Sequence, residues 1–573
     1  MQKITVFIYG EIMKKIKYVI LVLIILTTSV LGTACKKGLK ASKVPDYSSY
    51  TDQFDFFGYH SAHNGTYSID GVVYDVGENF MTVEQYQMYK DSGMTIYYPQ
   101  SAMKIRGEEG AMDGDEDSQN KFYADRANDW EYVKTEVDKM VSVGIKKTIL
   151  YDEDLSWLGL NEPNRSVADP ARNDEPAEEN MTDGEREARG LIGEHKDQFR
   201  TIEELDAQVE KLIGLYAGYE GVGGVTLADE PKNVWYKSYG DLYNSIKRVC
   251  AKNGWNDFYI SFNLNPLNLN EFVYQTYYPY VDGTEQEADS TGKVSFEDGF
   301  ARYKQYIENF MDSMNPDYVR YDDYPLRKTY LSDTYIPCLE YVAGVARDRG
   351  IDFHMVTQTF GMDSNGSPSM RKVTEAGANW LNNMLVGFGV REISYFTYYQ
   401  RSESKTDGES FFNYPDYSFV DYYGNKTKLY DMMQTIMANN QKFAPTVFQF
   451  DYVKSGCFTQ EPMETGGKHL FNMETNVQTY TKVKKVSLNK ECAMVNELYD
   501  KKNDRYMYMA MNIVDPDYTG SSVYQTITLE FDKKEFKYAL VYKNGVSTLH
   551  KLDNGKISVK GAPGDASFII PFK

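Results

Sequence analysis

The residues with the clearest chemical potential are two acids and a proline, Asp229-Glu230-Pro231, which end the apolar, β-rich run 223–228. A carboxyl group at a strand end can be partly buried, and burial disfavours its charged form. A neighbouring carboxylate pushes the same way, so Asp229 helps bring Glu230 towards the range where proton transfer is efficient. Pro231 has no backbone N–H and stops the strand there. The structural alternative is an acid pair that caps the next helix or meets a lysine across the rim. Residues 174–176 repeat the triplet, and 161–163 (Asn-Glu-Pro) come close. Both lie in a stretch of Asp, Glu, Asn, Arg and Pro without apolar period, which predicts solvated loop. A second acid pair, Asp322 and Asp323, stands in VRYDDYPL. Side chains alternate along a strand, so only one of the two points inward, and Asp322 follows the strand more directly. Binding of that acid by backbone groups or by Arg327 is the competing structural role.

These acids need a frame. From residue 54 to 447, short apolar strands alternate with amphipathic helical patterns. Strands are predicted at 54–62, 94–98, 147–151, 223–228, 257–263, 318–321, 353–357 and 392–398, each followed by a helical period. In TVEQYQMYKDSGMTIYYPQ, for example, Thr82 caps a helix and Gly93 stops it. Eight successive strand–helix units predict an α/β fold, a (β/α)8 TIM barrel over 54–447. No GxGxxG follows the first strand, which counts against a dinucleotide fold. The long polar segments 99–129, 157–198 and 265–298 all fall after strands. In a barrel these are loops of the C-terminal face, where active sites are built. Glu230 then follows strand four and the Asp322/Asp323 pair follows strand six, on that same face. Residues 448–573 show alternating strands with turn residues between them and no helical period, which predicts an all-β sandwich.

The N-terminus speaks to location. Lys14, Lys15 and Lys17 precede an uncharged apolar run at 18–32. That run is short of the roughly 20 residues a membrane-spanning helix needs, and suits a secretory signal. It ends in LGTAC, which resembles a bacterial lipobox. The resemblance implies a signal peptide and lipidation site over 1–35, a lipid on Cys35, a tether at 36–53, and a place on the outer face of a bacterial membrane. An uncleaved N-terminal anchor is the alternative. A net charge of −21 argues against a nucleic-acid partner. Cys250, Cys338, Cys457 and Cys492 form no CxxC, and the six histidines form no HExxH, so neither metal nor cofactor is expected. A Cys457–Cys492 disulfide and two buried free thiols fit equally well.

The LGTAC lipobox, the eight-unit barrel, the Glu230-Pro231 pair after strand four and the trailing sandwich together resemble the clan A glycoside hydrolases. The chain looks closest to the beta-galactosidase-like barrels of bacterial glycan degradation, over about residues 54–573. The resemblance implies hydrolysis of an oligo- or polysaccharide at the cell surface, with Glu230 as general acid/base. Asp229 stands where that family has Asn, whose amide typically contacts the sugar 2-hydroxyl; an Asp can accept that bond but not donate it. The family's nucleophilic Glu follows strand seven, where FHMVTQTFG offers only Gln358. A retaining mechanism needs a second carboxyl about 5–5.5 Å from the first, so Asp322 or Asp323 is the expected substitute. A glycan cleft also needs polar groups for hydroxyls and rings for sugar faces; 49 tyrosines are available for the latter. The expected carbohydrate-binding set is Tyr59, His60, Tyr98, Asp152, Asp229, Trp235, Asn263, Tyr324, Gln358 and Tyr398. The missing strand-seven carboxylate also fits a catalytically inactive glycan-binding lipoprotein. A third reading is an adhesion or scaffold protein whose sandwich makes the contacts.

Overall fold

The computed structural model of the chain describes residues 44–573 apart from 61, 63–65, 70–71, 76–78, 99–102, 108–111, 113–114, 161–200, 285–288, 291, 365–366, 401–417, 422, 460–479, 490–491 and 518–523. Cys35, the apolar run 18–32 and the triplets at 161–163 and 174–176 lie outside the described residues.

Eight parallel strands form the centre: β1 (Asp55–Gly58), β2 (Ile96–Tyr97), β3 (Lys147–Asp152), β4 (Val222–Asp229), β5 (Tyr259–Asn263), β6 (Tyr318–Asp323), β7 (Asp352–Gln358) and β8 (Val390–Phe396). One arc pairs β2, β3, β4 and β5 in order; the other pairs β6, β7, β8 and β1. Backbone bonds close both seams. Thr95 N–H donates to Phe56 O at 2.8 Å beside β1 and β2. Between β5 and β6, Leu264 N–H donates to Arg320 O at 3.0 Å and Asp322 N–H to Leu264 O at 3.3 Å. The helices α1 (Val83–Asp91), α2 (Glu116–Ser142), α3 (Ile202–Ile213), α4 (Tyr236–Asn253), α5 (Phe296–Met314), α6 (Tyr335–Arg349), α7 (Glu375–Gly387) and α8 (Lys428–Val447) each follow the strand of the same number. This is a TIM barrel.

Local chemistry explains the helix ends. Thr82, Asp115, Thr201, Ser295, Thr374 and Thr427 accept N-terminal backbone bonds as caps. Gly254, Asn315 and Gly350 end α4, α5 and α6 in the left-handed conformation. Helix α2 begins at Glu116, so residues 116–129, expected as loop, are helical. Its buried stripe, Phe122, Arg126, Trp130, Val133, Val137 and Met140, has helical spacing, but the buried Arg126 interrupts it as a hydrophobic pattern.

Alternation along the strands separates two apolar layers. Val225, Leu227, Phe262, Val319, Tyr321, Met355 and Ile393 face the helices. Phe57, Tyr59, Ile96, Tyr98, Ile149 and Val356 pack with one another inside the barrel.

The chain then forms two antiparallel sheets, the all-β sandwich. The larger has the order 451–459, 492–500, 505–512, 566–572, 538–543, 546–551, and the smaller 483–488, 525–531, 556–561. Val495, Tyr508, Leu529, Phe531 and Ile569 lie between them. The larger sheet rests on the barrel: Trp380 Nε1 donates to Ile513 O at 3.3 Å and Asn496 Nδ2 to Gly387 O at 3.0 Å. Arg371 pairs with Asp515 at 2.6 Å. Cys457 and Cys492 are buried and are not joined in a disulfide.

Candidate active site

Strand β6 supplies the first acid. Arg320 reaches Ser261 on β5 and Glu392 on β8, across the barrel interior. Asp322, two residues on, shares its face by strand alternation. Its neighbour Asp323 turns outward, and its charge acts on Tyr335 and Cys338 of α6. Asp323, carried as a catalytic candidate with Asp322, therefore leaves the barrel mouth. The inward acid is Asp322.

Strand β4 supplies the other acids. A Cβ at Gly224 would lie 1.9 Å from Tyr259 O, so only glycine lets β4 approach β5 this closely. A bulge between Thr226 and Ala228 shifts the register, and Asp229 ends opposite Asn263. Asn263 Nδ2 donates to Asp229 Oδ1 at 2.9 Å. Glu230 then adopts φ +48°, unusual for a non-glycine residue and more so before proline. Bonds on both sides hold this strained conformation: Glu230 N–H donates to Asn263 O at 2.7 Å, and Tyr306 OH to Pro231 O at 2.9 Å. Such strain persists where surrounding structure over-determines it, often at functional sites.

The carboxyl groups feel one another. Burial, then the Asp229 charge, pushes Glu230 up to about 8. Burial, then the charges of Glu230 and Asp229, pushes Asp322 well above the usual carboxylate range, against a Tyr324 hydrogen bond that favours its ionised form. The Glu230 charge thus disfavours a charge on Asp322, and the two carboxyl groups titrate as neighbours. Asp323, up to about 7 through burial with Arg327 opposing, belongs to a separate outward cluster.

Around these acids stand residues anticipated from strand ends. Tyr59 and Tyr98 meet edge to face at 4.8 Å, and both sense the Asp229 charge. His60 lies edge-on to Phe396 at 5.0 Å, and Tyr324 packs on Phe360 and Phe396. Trp235 is half-buried beside the triplet, with Lys232 Nζ 5.0 Å from its ring centre.

Three expected binding residues do other work. Asp152 faces outward and is fully buried: Arg126 Nη2 pairs with it at 2.6 Å and Tyr216 OH donates to it at 2.7 Å. Parity on β3 explains this, because Ile149 and therefore Tyr151 point inward. Tyr398 packs outside the barrel against Tyr89 and Phe419. Gln358 is fully buried; Leu326 N–H donates to its Oε1 at 3.0 Å, and its Nε2 donates to Phe360 O at 2.9 Å. It ties loops together. Gln358→Leu should cost about 1–3 kcal/mol by leaving those groups unpaired, visible as a lower melting temperature with unchanged ligand affinity.

Two residues at the mouth were not anticipated. Tyr151 senses Asp229 from β3, and strict alternation from Ile149 would have found it. Tyr277, half-buried at the end of helix Glu271–Tyr277, senses both Glu230 and Asp229. It sits in the loop after β5, where periodicity carries no signal. Among the described residues, no three His, Cys, Asp or Glu side chains gather as metal ligands would.

No family model matches the chain, and no curated protein matches it. Among solved structures, the chain is similar to a glucosidase from Croceicoccus marinus at 9% identity, over 91% of this chain and 96% of that one, with a TM-score of 0.39. It is similar to a family 5 glycoside hydrolase from Bacteroides vulgatus at 10% identity, covering 86% and 85%, with a TM-score of 0.41. An Anoxybacillus alpha-amylase is similar at 11% identity, covering 92% and 99%, with a TM-score of 0.41. Likeness at this level transfers no residue role.

Proposed function

We propose that the chain hydrolyses glycosidic bonds of an oligo- or polysaccharide, with Glu230 as general acid/base and Asp322 as the second carboxylate. The observation that carries this reading is that β4 and β6 bring Glu230 and Asp322 to one barrel mouth, both buried, where the Glu230 charge acts on Asp322. A buried pair sharing proton occupancy can keep one member neutral and the other charged near neutral pH. Burial and the neighbouring carboxylates raise Asp322, and the Tyr324 hydroxyl, which donates to it, works against them and favours its charge. Glu230 then holds the proton and passes it to the departing glycosidic oxygen. Asp322 either attacks the anomeric carbon or takes a proton from water, according to the carboxyl separation. The tyrosines of the mouth offer faces for sugar rings. The same reading places the protein on a bacterial surface, held through a lipid on Cys35.

A second reading, a catalytically inactive glycan binder, is favoured by Gln358, whose amide is held by backbone groups at the end of β7. A screen of the full-length chain in detergent against aryl glycosides and polysaccharides separates the two. Turnover that disappears in Glu230→Gln supports the hydrolase. Turnover that survives removes Glu230 from the chemistry, and binding without turnover in the parent favours the binder.

A further inference from the structure

Two buried oxygens at the mouth have no hydrogen-bond partner among the described residues. Asn263 is 5% exposed and gives its Nδ2 to Asp229, while its Oδ1 is buried with no hydrogen-bond partner among the described residues. Asp322, also 5% exposed, has a buried Oδ1 that likewise meets no partner among the described residues. Strand pairing sets Asp229 opposite Asn263, and the Leu264–Tyr321 bridge sets Asn263 beside Arg320, one inward position below Asp322. Glu230 adjoins them. These acceptors line the inner faces of β4, β5 and β6 at successive heights. A buried acceptor left unmade is costly, so the arrangement calls for a ligand rich in donors.

A sugar hydroxyl brings one donor and two lone pairs, and the lone pairs face carboxylates unfavourably. An alkyl ammonium brings three donors, no lone pair and a positive charge. The rings point the same way. Tyr59, Tyr98, Tyr151, Tyr277 and Tyr324 all lie within the electrostatic reach of Asp229. Tyrosine faces beside carboxylates are the surroundings in which organic ammonium groups are held. The net charge of −21 would also draw a cationic polymer towards the surface.

We propose that this mouth selects a glycan residue bearing a free, protonated amine in place of a hydroxyl, held by Asp322 and Asn263 oxygens beside Glu230 and Asp229. The proposal rests on the glycosidase reading of the same mouth and names its substrate class. Bound ammonium would favour the ionised carboxyl groups, so binding should release protons to the buffer.

Titration calorimetry on the full-length chain tests this with D-glucosamine, D-galactosamine and D-mannosamine, each beside its hydroxyl parent and its N-acetyl derivative. At least one amine sugar should bind about tenfold more tightly than its parent, the size of one charge-assisted hydrogen bond. The preference should shrink with added salt and vanish on N-acetylation. Asp322→Asn keeps the shape and removes the charge, and should lose most of the preference while melting cooperatively. Equal or tighter binding of every hydroxyl parent overturns the amine assignment, as does failure of all three amine sugars to bind. In both cases the glycosidase reading is decided separately by aryl-glycoside turnover.

Discussion

Glu230→Gln should lower kcat by about a hundred- to ten-thousandfold, the usual contribution of a positioned general acid. Glutamine fills the same space and cannot give a proton to a leaving oxygen. The parent should lose kcat/KM as pH rises through about 8, where Glu230 gives up its proton. The residual activity of the variant should lack that alkaline limb. A substrate with a leaving group that needs no proton should recover much of the loss, because it bypasses only the acid step. The same substitution should stabilise the fold. In the unfolded chain a Glu loses its proton near 4.5, and in the folded chain Glu230 holds it to about 8. Between those values the folded state binds the extra proton, so its stability falls as pH rises. Gln does not titrate, so Glu230→Gln should melt above the parent at pH beyond about 8. Below 4.5 that advantage should disappear. Higher activity loss with higher melting temperature is the signature of a group held at a cost to stability for its chemistry. Equal melting profiles across that window would remove the burial argument for Glu230.

The sequence made the framework legible because its signals are local. Strand β7, expected at 353–357, runs Asp352–Gln358, and β4, expected at 223–228, runs Val222–Asp229. Apolar runs, caps and stop residues encode such elements within a few positions. The side of the strand on which a residue falls was harder to read. Asp152 and Tyr398 stand at the ends of expected strands, yet both face away from the mouth. Counting parity from a residue known to point inward, such as Ile149, selects Tyr151 instead. Asp322 and Asp323 differ by one position, and alternation alone leaves open which faces in. The reach of Arg320 across the interior, two residues earlier, decides it. Gln358 illustrates a further limit: parity puts it inward, but loops after β6 and β7 close over it and take its amide. Tyr277 depends on how a long loop folds back over β4, which no short-range pattern records.

The floor beneath the mouth carries the second large effect. Arg320 is 1% exposed and pairs with Glu392 on β8, which is 3% exposed. Its Nη1 donates to Ser261 Oγ at 2.7 Å and its Nη2 to Tyr259 OH at 2.6 Å. Phe57, Tyr259 and Tyr318 surround the guanidinium, with the Phe57 ring centre at 4.8 Å. His354, close to the pair, is pushed down to about 3 by burial and then by the Arg320 charge, so it stays neutral. Glu392 is thus the counter-charge that Arg320 depends on. Glu392→Leu should cost about 3–5 kcal/mol, because it strands a charge in a dry interior. Arg320→Met alone should cost a similar amount by stranding Glu392. The double substitution removes both charges and should be less destabilising than the sum of the two, often by several kcal/mol for such pairs. Denaturant unfolding of the parent, the two single variants and the double variant measures that coupling. Additive losses would mean that the rings and hydroxyls around Arg320, rather than Glu392, hold it in place. The outcome bears on the acids above, since Arg320 and Asp322 are inward neighbours on one strand. If the double variant folds and Asp322 keeps its Tyr324 bond, activity should survive at a reduced level. A loss as deep as that of Glu230→Gln would instead show that the charged floor fixes the direction in which Asp322 points.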